Sequence, residues 1–323
     1  MSQILITGGA GFIGSNLIEK LIADKNTRIV CLDNFDNYYS KSIKLRNIKK
    51  FIKEPNLEFI DVDITRLTYL KEKLKDYSFD SIIHLAAKGG VRPSINSPIE
   101  YMNTNVIGTA SMLEIALACK TQKFIFASSS SVYGVNPKYP WSEDDHDYRP
   151  ISPYATSKLS AEMLGHVYQE LHKIKFIALR FFTVYGPRQR PDLAINKFII
   201  SILKGIPINV YGKGDTLRDY TYIDDVVSGI TKAMYCSDSV YEVINIGNNK
   251  PCKLLDLIQI IEKILDKKAT INYFDEQPGD VPVTCANIDK AQKILGYNPL
   301  TSLETGIKNQ VDWIIKNSDI YGV

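Results

Sequence analysis

Residues 4–14 read I-L-I-T-G-G-A-G-F-I-G, and this stretch decides the fold class. Its first four residues predict a β-strand, and the pattern over residues 12–23 predicts a helix. Gly8, Gly11 and Gly14 form G-x-x-G-x-x-G between them. Glycine at these positions permits a tight turn, close approach of the backbone to a pyrophosphate and close packing of helix on strand. The free N–H groups at the helix start then face the phosphates, so we predict a dinucleotide site.

Acidic residues follow the next two predicted strands. Asp33, in C-L-D-N, can accept hydrogen bonds from a ribose 2′-hydroxyl, and its charge repels a 2′-phosphate, which favours NAD over NADP. Asp63, in D-V-D-I, has two equally good interpretations. It either meets the adenine amino group or simply caps the following helix.

Strand-like and helix-like segments alternate through the first half of the chain. Further strands are predicted at 28–32, 57–59, 81–84, 123–127 and 175–180, and long helices at 98–119 and 152–172. This alternation, with strands that are nearly all apolar, predicts an α/β fold with a Rossmann-type doubly wound parallel sheet. After residue 182, Pro, Gly and Tyr punctuate the chain, and helical patterns return at 253–265 and 303–316. We therefore expect an NAD-binding domain over 1–181 and a smaller C-terminal substrate-binding lobe over 182–323, with segments exchanged between them.

Composition excludes several classes of function. The 323 residues include 39 basic and 36 acidic side chains, an imbalance too small to indicate a nucleic-acid or membrane partner. No apolar run approaches the length of a membrane span. The chain begins M-S-Q-I-L-I-T-G-G, which leaves no room for a signal peptide before the first strand. Five cysteines without C-x-x-C and four scattered histidines suggest free thiols in a reducing cytoplasm and no metal site.

Two segments carry candidate catalytic groups. Tyr154 and Lys158, in S-P-Y-A-T-S-K, are four residues apart and share one helix face. An ammonium near Tyr154 would lower the phenol pKa from about 10 and make it a usable base. Alone, Y-x-x-x-K usually marks a solvated helix face. Residues 127–134, A-S-S-S-S-V-Y-G, supply hydroxyls at a strand end that can bond a sugar oxygen or merely cap a helix.

Together these motifs resemble the extended short-chain dehydrogenase/reductase family. The similarity includes G-G-A-G-F-I-G, S-S-S-S-V-Y-G, S-P-Y-A-T-S-K and R-F-F-T-V-Y-G-P, and it runs over nearly the whole chain. It implies that Tyr154 is the acid/base, that Lys158 orients cofactor and tyrosine, that Ser129 shares the proton, and that Asn105 lies near the cofactor. The remaining residues expected at NAD are Phe12, Ile13, Asn34, Ile64, Leu85, Ala86 and Lys88.

Within that family the chain resembles nucleotide-sugar epimerases and dehydratases. Dehydratases carry an acid pair where this chain has Ser129, Ser130 and Ser131. Without a general acid and base at those positions water elimination is disfavoured, and epimerisation is the better prediction.

Details of the second half resemble UDP-glucuronate 4-epimerases. Thr183 replaces the usual asparagine of R-Y-F-N-V-Y-G-P, Arg188 and Arg190 follow it, and Gln277 replaces the arginine of a frequent R-P-G-D motif. Lys88 departs from the pattern, because those enzymes usually have glutamine there. Arg190 and Thr183, with Ser130 and Ser131, can hold a C6 carboxylate. Alternatively, Arg190 is a surface or phosphate-facing arginine.

The resemblance also implies contacts to the nucleotide. It assigns Arg218 to the diphosphate and Asp280 to a uridine ribose hydroxyl. The uracil-facing stretches would be Lys197, Phe198, Val210 and Tyr211.

We therefore predict NAD-dependent 4-epimerisation of UDP-glucuronate to UDP-galacturonate through a 4-keto intermediate. The alternatives are a UDP-glucose or UDP-N-acetylglucosamine 4-epimerase, a UDP-glucuronate decarboxylase, and a non-catalytic NAD-sensing protein on the same fold. A homodimer is expected through the helices at 98–119 and 152–172. The other explanation of their apolar stripes is that they only cover the sheet.

Overall fold

The structure, a computed structural model, describes residues 2–236, 239–276 and 279–323. Its strands are β1 (Ser2–Thr7), β2 (Thr27–Asp33), β3 (Leu57–Asp61), β4 (Ser81–His84), β5 (Lys123–Ser129), β6 (Lys175–Phe181), β7 (Thr183–Tyr185), β8 (Ile208–Tyr211), β9 (Leu217–Tyr222), β10 (Tyr241–Ile246), β11 (Pro251–Lys253) and β12 (Ile271–Phe274).

Its helices are α1 (Phe12–Leu21), α2 (Lys41–Ile48), α3 (Leu67–Lys73), α4 (Val91–Asn96), α5 (Pro98–Met102), α6 (Gly108–Ala118), α7 (Pro153–His172), α8 (Ala194–Lys204), α9 (Ile223–Tyr235), α10 (Leu254–Leu265), α11 (Asp289–Leu295), α12 (Leu303–Lys316) and α13 (Ser318–Tyr321). A π-helical turn (Asn103–Ile107) joins α5 to α6, and a 3₁₀ turn (Ser130–Tyr133) follows β5.

Seven strands form one parallel sheet in the order β10-β6-β5-β4-β1-β2-β3. Successive residues of a strand point to opposite faces, and both faces are buried. In β1, Ile4 and Ile6 join one hydrophobic cluster while Leu5 joins the other. The predicted doubly wound sheet is confirmed, and it explains why these strands are apolar at nearly every position.

The second half of the chain contributes to both parts of the molecule. A three-stranded sheet, β11-β9-β7, and a two-stranded sheet, β12-β8, come entirely from this half. Strand β10 instead returns to the main sheet, where it pairs with β6. The fold therefore does not divide at a single point near residue 182.

The helix predicted over residues 98–119 is interrupted. The π turn inserts at Asn105, whose backbone carbonyl accepts a hydrogen bond of 2.5 Å from the Thr109 hydroxyl. Such bulges frequently occur at functional sites, and this one turns the Asn105 side chain towards the loop after β4.

Because all seven strands are parallel, their carboxyl ends meet at one edge of the sheet. Ligands of open α/β sheets bind in the crevice outside that edge. Thr183, Val184 and Arg190 from the second half of the chain line a cavity at the same edge, which makes it the candidate site.

Candidate active site

A cavity of about 470 Å³ opens at the carboxyl edge of the sheet. Most of the residues expected at the cofactor and the sugar line it. From the cofactor set these are Gly8, Gly11, Phe12, Ile13, Gly14, Asp33, Asn34, Asp63, Ile64, Leu85, Ala86 and Lys88. From the reaction and sugar sets they are Ser129, Ser130, Ser131, Tyr154, Lys158, Thr183 and Arg190.

The glycine loop has the geometry that a bound diphosphate requires. Gly8 has φ +74°, and a Cβ on it would lie 2.8 Å from the amide nitrogen of Ala86. A Cβ on Gly14 would lie 2.3 Å from the carbonyl oxygen of Gly8. Gly11 precedes α1 and provides no side-chain cap for it. The first N–H groups of α1 are therefore available to an anion.

Asp33 lies at the end of β2 in the cavity wall. Its carboxylate is buried and accepts hydrogen bonds from the amides of Ala10 at 3.0 Å and Phe35 at 2.8 Å. Burial raises the pKa of Asp33, and the two backbone hydrogen bonds oppose that rise. An acidic group fixed at the end of β2 suits a ribose 2′-hydroxyl, so the residues present fit NAD.

Asp63 does not cap the following helix, because α3 begins after Arg66 and has no side-chain cap. The Asp63 carboxylate instead closes a short turn before that helix. One carboxylate oxygen accepts from the amide and hydroxyl of Thr65 at 2.8 and 2.7 Å, and the other accepts from Asn34 at 2.8 Å. Burial raises the pKa of Asp63, but these hydrogen bonds outweigh it and leave the pKa lowered. Asp63 also lines the cavity, so its contact with an adenine amino group stays a prediction.

Asn105 lies behind the cavity wall. Its side chain accepts from the amide of Lys88 at 2.8 Å, and donates to the carbonyl of Lys88 at 3.0 Å and to Ser157 at 2.9 Å. It therefore fixes the loop that faces the cofactor. The Lys88 ammonium pairs with Glu100 at 2.6 Å and lies 3.7 Å from Asp36.

Helix α7 carries Tyr154 and Lys158 into the cavity. It begins with Ser152, which caps the amide of Ala155, and Pro153 occupies the first helical turn. The Lys158 ammonium donates to the carbonyl of Ala127 at 2.7 Å and is 3% exposed. Burial lowers the pKa of Lys158 to about 7, although the Glu162 carboxylate opposes this effect.

The electrostatics of Tyr154 differ from the sequence-based expectation. Burial raises the pKa of Tyr154, while a hydrogen bond with Ser129 and the charge of Arg190 lower it. The cation acting on the phenol is thus Arg190, because Lys158 is directed at a strand carbonyl. The spacing of four residues predicted that Lys158 and Tyr154 share one helix face. It did not indicate that the Lys158 ammonium would donate to the carbonyl of Ala127.

The serine run forms a compact turn at the end of β5. The Ser129 hydroxyl accepts from the amide of Ser131 and donates to its hydroxyl, both at 3.2 Å. Within the described part of the cavity wall, the carboxylates are Asp33, Asp36 and Asp63, all in the segments that follow β2 and β3. No carboxyl group accompanies the serines there, which agrees with the prediction against dehydration.

Arg190 lies in the cavity wall but is already paired. Its Nε and Nη2 atoms donate to the two carboxylate oxygens of Asp192 at 3.0 and 2.9 Å. Tyr38 lies beneath the guanidinium, 5.1 Å from ring centre to Cζ. Sequence reasoning missed Asp192 and Tyr38, and the one available signal was an acid two residues after Arg190.

Arg188 has a different role. It is buried, with an ion pair to Glu19 and a hydrogen bond of 3.1 Å to the carbonyl of Ser15. It therefore ties the segment after β7 to α1.

The residues assigned to the nucleotide lie outside the cavity wall. Phe198 and Val210 are buried in the hydrophobic core, and Lys197 is exposed on α8. Tyr211 packs under the guanidinium of Arg92, 4.8 Å from its ring centre.

Arg92 of α4 also contacts the second half of the chain near Tyr211. It pairs with Asp280 at 2.5 Å, while Arg218 donates to the carbonyls of Leu217 at 2.9 Å and Pro282 at 3.4 Å. Arg92 was missed at the sequence level. Gln277 lies outside the described residues.

Metal binding and membrane crossing are the remaining properties of the fold that bear on function. Among the described residues, no group of three His, Cys, Asp or Glu side chains is arranged to hold a metal ion. No helix in the same parts of the chain combines the length and apolar character needed to cross a bilayer.

Comparison with known proteins identifies the family. The sequence profile described as GDP-mannose 4,6 dehydratase matches residues 5–310. The chain belongs to this family. The resemblance to extended short-chain dehydrogenases/reductases is thereby confirmed.

Members of the GDP-mannose 4,6 dehydratase family that are similar to this chain include epimerases. A UDP-glucuronate 4-epimerase of Thermodesulfobacterium geofontis is 38% identical over 322 residues, covering 99% of this chain and 98% of that protein. The crystal structure of UDP-glucuronic acid 4-epimerase from Bacillus cereus, in complex with UDP-glucuronic acid and NAD, has a TM-score of 0.92 and 39% identity. The match covers 97% of this chain and 99% of that one.

A third relative acts on a different sugar. UDP-N-acetylglucosamine 4-epimerase from Methanobrevibacter ruminantium, in complex with UDP-N-acetylmuramic acid, has a TM-score of 0.89 and 30% identity, with 98% of each chain covered. The family and fold are therefore common to enzymes of several nucleotide sugars, and the sugar must be argued from the site.

Proposed function

We propose that this chain is an NAD-dependent UDP-sugar 4-epimerase that converts UDP-glucuronate to UDP-galacturonate through a transient 4-keto sugar. The observation that carries the choice of sugar is the Arg190 guanidinium, which lines the cavity that holds Tyr154 and Ser129. Asp192 occupies one edge of this cation, and the remaining edge suits a sugar carboxylate, a group that a neutral hexose lacks. The relatives named as UDP-glucuronate 4-epimerases support the same choice.

The protein's own groups manage the proton at O4. NAD, when bound, accepts a hydride from C4 and returns it to the opposite face of the sugar. Tyr154 takes the O4 proton during oxidation and gives it back during reduction. The Ser129 hydroxyl bridges the phenol and the sugar oxygen by hydrogen bonds. The nearby charge of Arg190 makes the phenol more acidic and so offsets part of the cost of burying it.

The carboxylate must be held during this reaction. Oxidation at C4 of a glucuronate creates a ketone β to the C6 carboxylate, and such acids lose CO₂ when the carboxylate bond aligns with the carbonyl π system. Arg190, Thr183, Ser130 and Ser131 offer directional donors in one wall of the cavity. We propose that they hold the carboxylate out of that alignment, so that epimerisation is faster than decarboxylation.

One experiment tests the function directly. Purified protein is incubated with NAD and UDP-glucuronate, and the products are separated into epimers and pentoses. UDP-galacturonate as the main product supports the proposal. UDP-xylose as the main product would make the chain a decarboxylase, and turnover of UDP-glucose or UDP-N-acetylglucosamine alone would make it an epimerase of neutral sugars. No turnover of any of these, with NAD bound, would favour a non-catalytic NAD sensor.

We further propose that NAD and the nucleotide are held by the residues assigned to them from the sequence. The glycine loop and Asp33 suit the two ends of the cofactor. Arg218 and Asp280 lie together near the interlobe contact of Arg92, where a uridine diphosphate can reach them. The side chains of Phe198 and Val210 are in the core, so in this proposal their segments meet uracil through the backbone.

A homodimer is the assembly we propose. On α7, Met163, Val167 and Leu171 are exposed and spaced by four residues, which places them on one face. Ile99 of α5 and Ile107 of the π turn are also exposed. Leu171 and Ile99 are 70% and 79% exposed, so these stripes do not cover the sheet. Pairing of both helices across a two-fold axis would bury them.

We also propose a cytoplasmic location. All five cysteines are free, and Cys31, Cys119 and Cys285 are buried. Unpaired thiols are typical of a reducing compartment.

A further inference from the structure

An ion pair is buried directly behind the catalytic residues. Arg180 of β6 and Glu162 of α7 are 1% and 3% exposed. The Arg180 Nε and Nη2 atoms donate to the two oxygens of Glu162 at 3.0 and 2.7 Å. Pairs of this kind carry a large desolvation cost and are weak evidence for a role in stability alone.

Glu162 contacts the elements that carry all three catalytic groups. It lies on α7 one turn after Lys158 and two turns after Tyr154. Its Oε1 atom also accepts a hydrogen bond from the hydroxyl of Ser128, which immediately precedes Ser129 at the end of β5. The carboxylate thus joins the helix that carries the base to the strand end that carries the proton-sharing hydroxyl.

We propose that Glu162 is a positioning residue of the catalytic centre, which fixes the end of β5 against α7 and supplies the buried negative charge beside the Lys158 ammonium. This inference rests on the proposed epimerase activity, because it concerns how the groups of that reaction are held and charged. Glu162 does not line the cavity and has no contact with a ligand in this role.

The surroundings of Lys158 leave Glu162 as its main electrostatic support. From β5 it meets the carbonyl of Ala127 and the ring of Phe126, 4.9 Å away. From β4 it faces His84, which is uncharged because burial, helped by the Lys158 charge, lowers the His84 pKa to about 3. Tyr154 shares its helix. Glu162 raises the pKa of Lys158 against burial, so without it the ammonium would lose its proton at a lower pH.

Arg180 holds Glu162 in place. Its guanidinium lies 4.8 Å from the ring centres of both Tyr133 and Tyr148 and donates to the Tyr148 hydroxyl at 3.1 Å. A second positive charge next to Glu162 competes with Lys158 for the same carboxylate. The Arg180–Glu162 pair therefore determines the net charge next to the Lys158 ammonium, in addition to packing in the core.

The test is the pH dependence of turnover in the holoenzyme. Glu162→Gln keeps the shape and the Ser128 hydrogen bond but removes the charge. We expect the alkaline limb of kcat to move to lower pH by about one unit, the low end of the range for loss of a neighbouring opposite charge. Glu162→Asp should restore most of the wild-type midpoint. Ser128→Ala, which retains the charge, should leave the midpoint unchanged whatever its effect on the rate.

A second variant keeps the test decisive if Glu162→Gln fails to fold. Glu162→Gln alone leaves Arg180 as an unpaired buried cation, so Glu162→Gln with Arg180→Met removes both charges and should shift the midpoint in the same direction. If wild type is active and neither folded variant shifts the midpoint, the role assigned to Glu162 is wrong. If wild type does not epimerise any UDP-sugar, the proposed function fails first and independently of this test.

Discussion

Arg190 and Asp192 form a two-point ion pair in the cavity wall, with Nε–Oδ1 and Nη2–Oδ2 distances of 3.0 and 2.9 Å. One edge of the guanidinium is thereby occupied. The Nη1 atom of Arg190 lies beside Gly89, and a Cβ added to Gly89 would be 2.5 Å from that atom. In the proposed function, a substrate carboxylate would meet the remaining edge of Arg190, in the orientation that Asp192 fixes.

Replacement of Arg190 tests the choice of sugar. Arg190→Ala should weaken UDP-glucuronate binding by about 1.5–3 kcal/mol, the range for hydrogen bonds to a charged group, and should raise the fraction of decarboxylated pentose. Binding is measured by calorimetry, because Arg190 also acts on Tyr154 and rates alone mix the two effects. UDP-glucose, which has no carboxylate, is the control ligand. Equal weakening of both ligands, or no increase in pentose, would assign Arg190 to the diphosphate or the fold.

Replacement of Asp192 should have the opposite effect on affinity. In Asp192→Asn the guanidinium no longer has a protein carboxylate competing for it, so UDP-glucuronate should bind tighter by up to about 1 kcal/mol. The pentose fraction should nevertheless rise, because Arg190 is free to turn. Affinity for UDP-glucose should stay as in wild type. A fall in UDP-glucuronate affinity would mean that Asp192 is needed to hold Arg190 in the wall.

The role of Tyr154 as base is tested by removing its hydroxyl. Tyr154→Phe should lower kcat by about 10²–10⁴-fold, the usual contribution of a general base, and leave substrate binding largely intact. Tyr168→Phe is the matched control, because Tyr168 is on the same helix and donates to Glu114 at 2.8 Å, outside the cavity wall. Near-normal turnover of Tyr154→Phe would exclude the phenol as the acid/base.

The central sheet was predictable because its signals are local. The glycine loop, Asp33 and the apolar strands each report on a few neighbouring residues, and β4 and α12 were predicted with the bounds observed. Strand β10 was not predicted. Its partner β6 lies more than 60 residues earlier, and nothing within Y-E-V-I-N-I indicates which sheet it joins.

The candidate active site shows the same contrast between local and long-range signals. Motif residues such as Ser129 and Tyr154 were found because their spacing and chemistry are visible in the sequence, and the structure brings them to one cavity. Glu162 was missed because its partners Arg180 and Ser128 meet it only after folding. Asp192 was missed although it lies two residues from Arg190, because the spacing alone does not show that the two side chains pair. The contact of the Lys158 ammonium was not predictable, since the carbonyl that it meets belongs to β5.

The proposed dimer predicts the effect of a charge on α7. Met163→Glu with Leu171→Glu places two carboxylates in the exposed apolar stripe and should convert the dimer to a monomer at micromolar concentration in light scattering. Leu300→Glu is the control, because Leu300 is 80% exposed and its backbone amide bonds Asp225 at the start of α9. A monomeric wild-type protein, or a double variant that stays dimeric, would contradict the proposed interface.

Buried His84 predicts how stability depends on pH. Its ring nitrogens form hydrogen bonds with the hydroxyls of Thr7 at 2.8 Å and Thr109 at 3.1 Å. Burial lowers the pKa of His84 to about 3, whereas the pKa is about 6.5 in the unfolded chain. The unfolded chain therefore binds the proton first. The stabilisation is present above pH about 6.5 and is lost as the pH falls towards 3, amounting to roughly 2–3 kcal/mol by pH 4.5.

Urea unfolding of the cofactor-free protein at pH 7.5 and 4.5 measures this loss. His84→Asn cannot take up the proton, so its free energy of unfolding should fall less over the same interval, although it starts lower because the two threonine contacts are altered. His166→Asn is the control, since His166 is exposed on α7 and its replacement should leave the wild-type slope. If His84→Asn loses as much stability on acidification as wild type does, then other groups carry the acid sensitivity and His84 is already protonated or solvated in the folded protein.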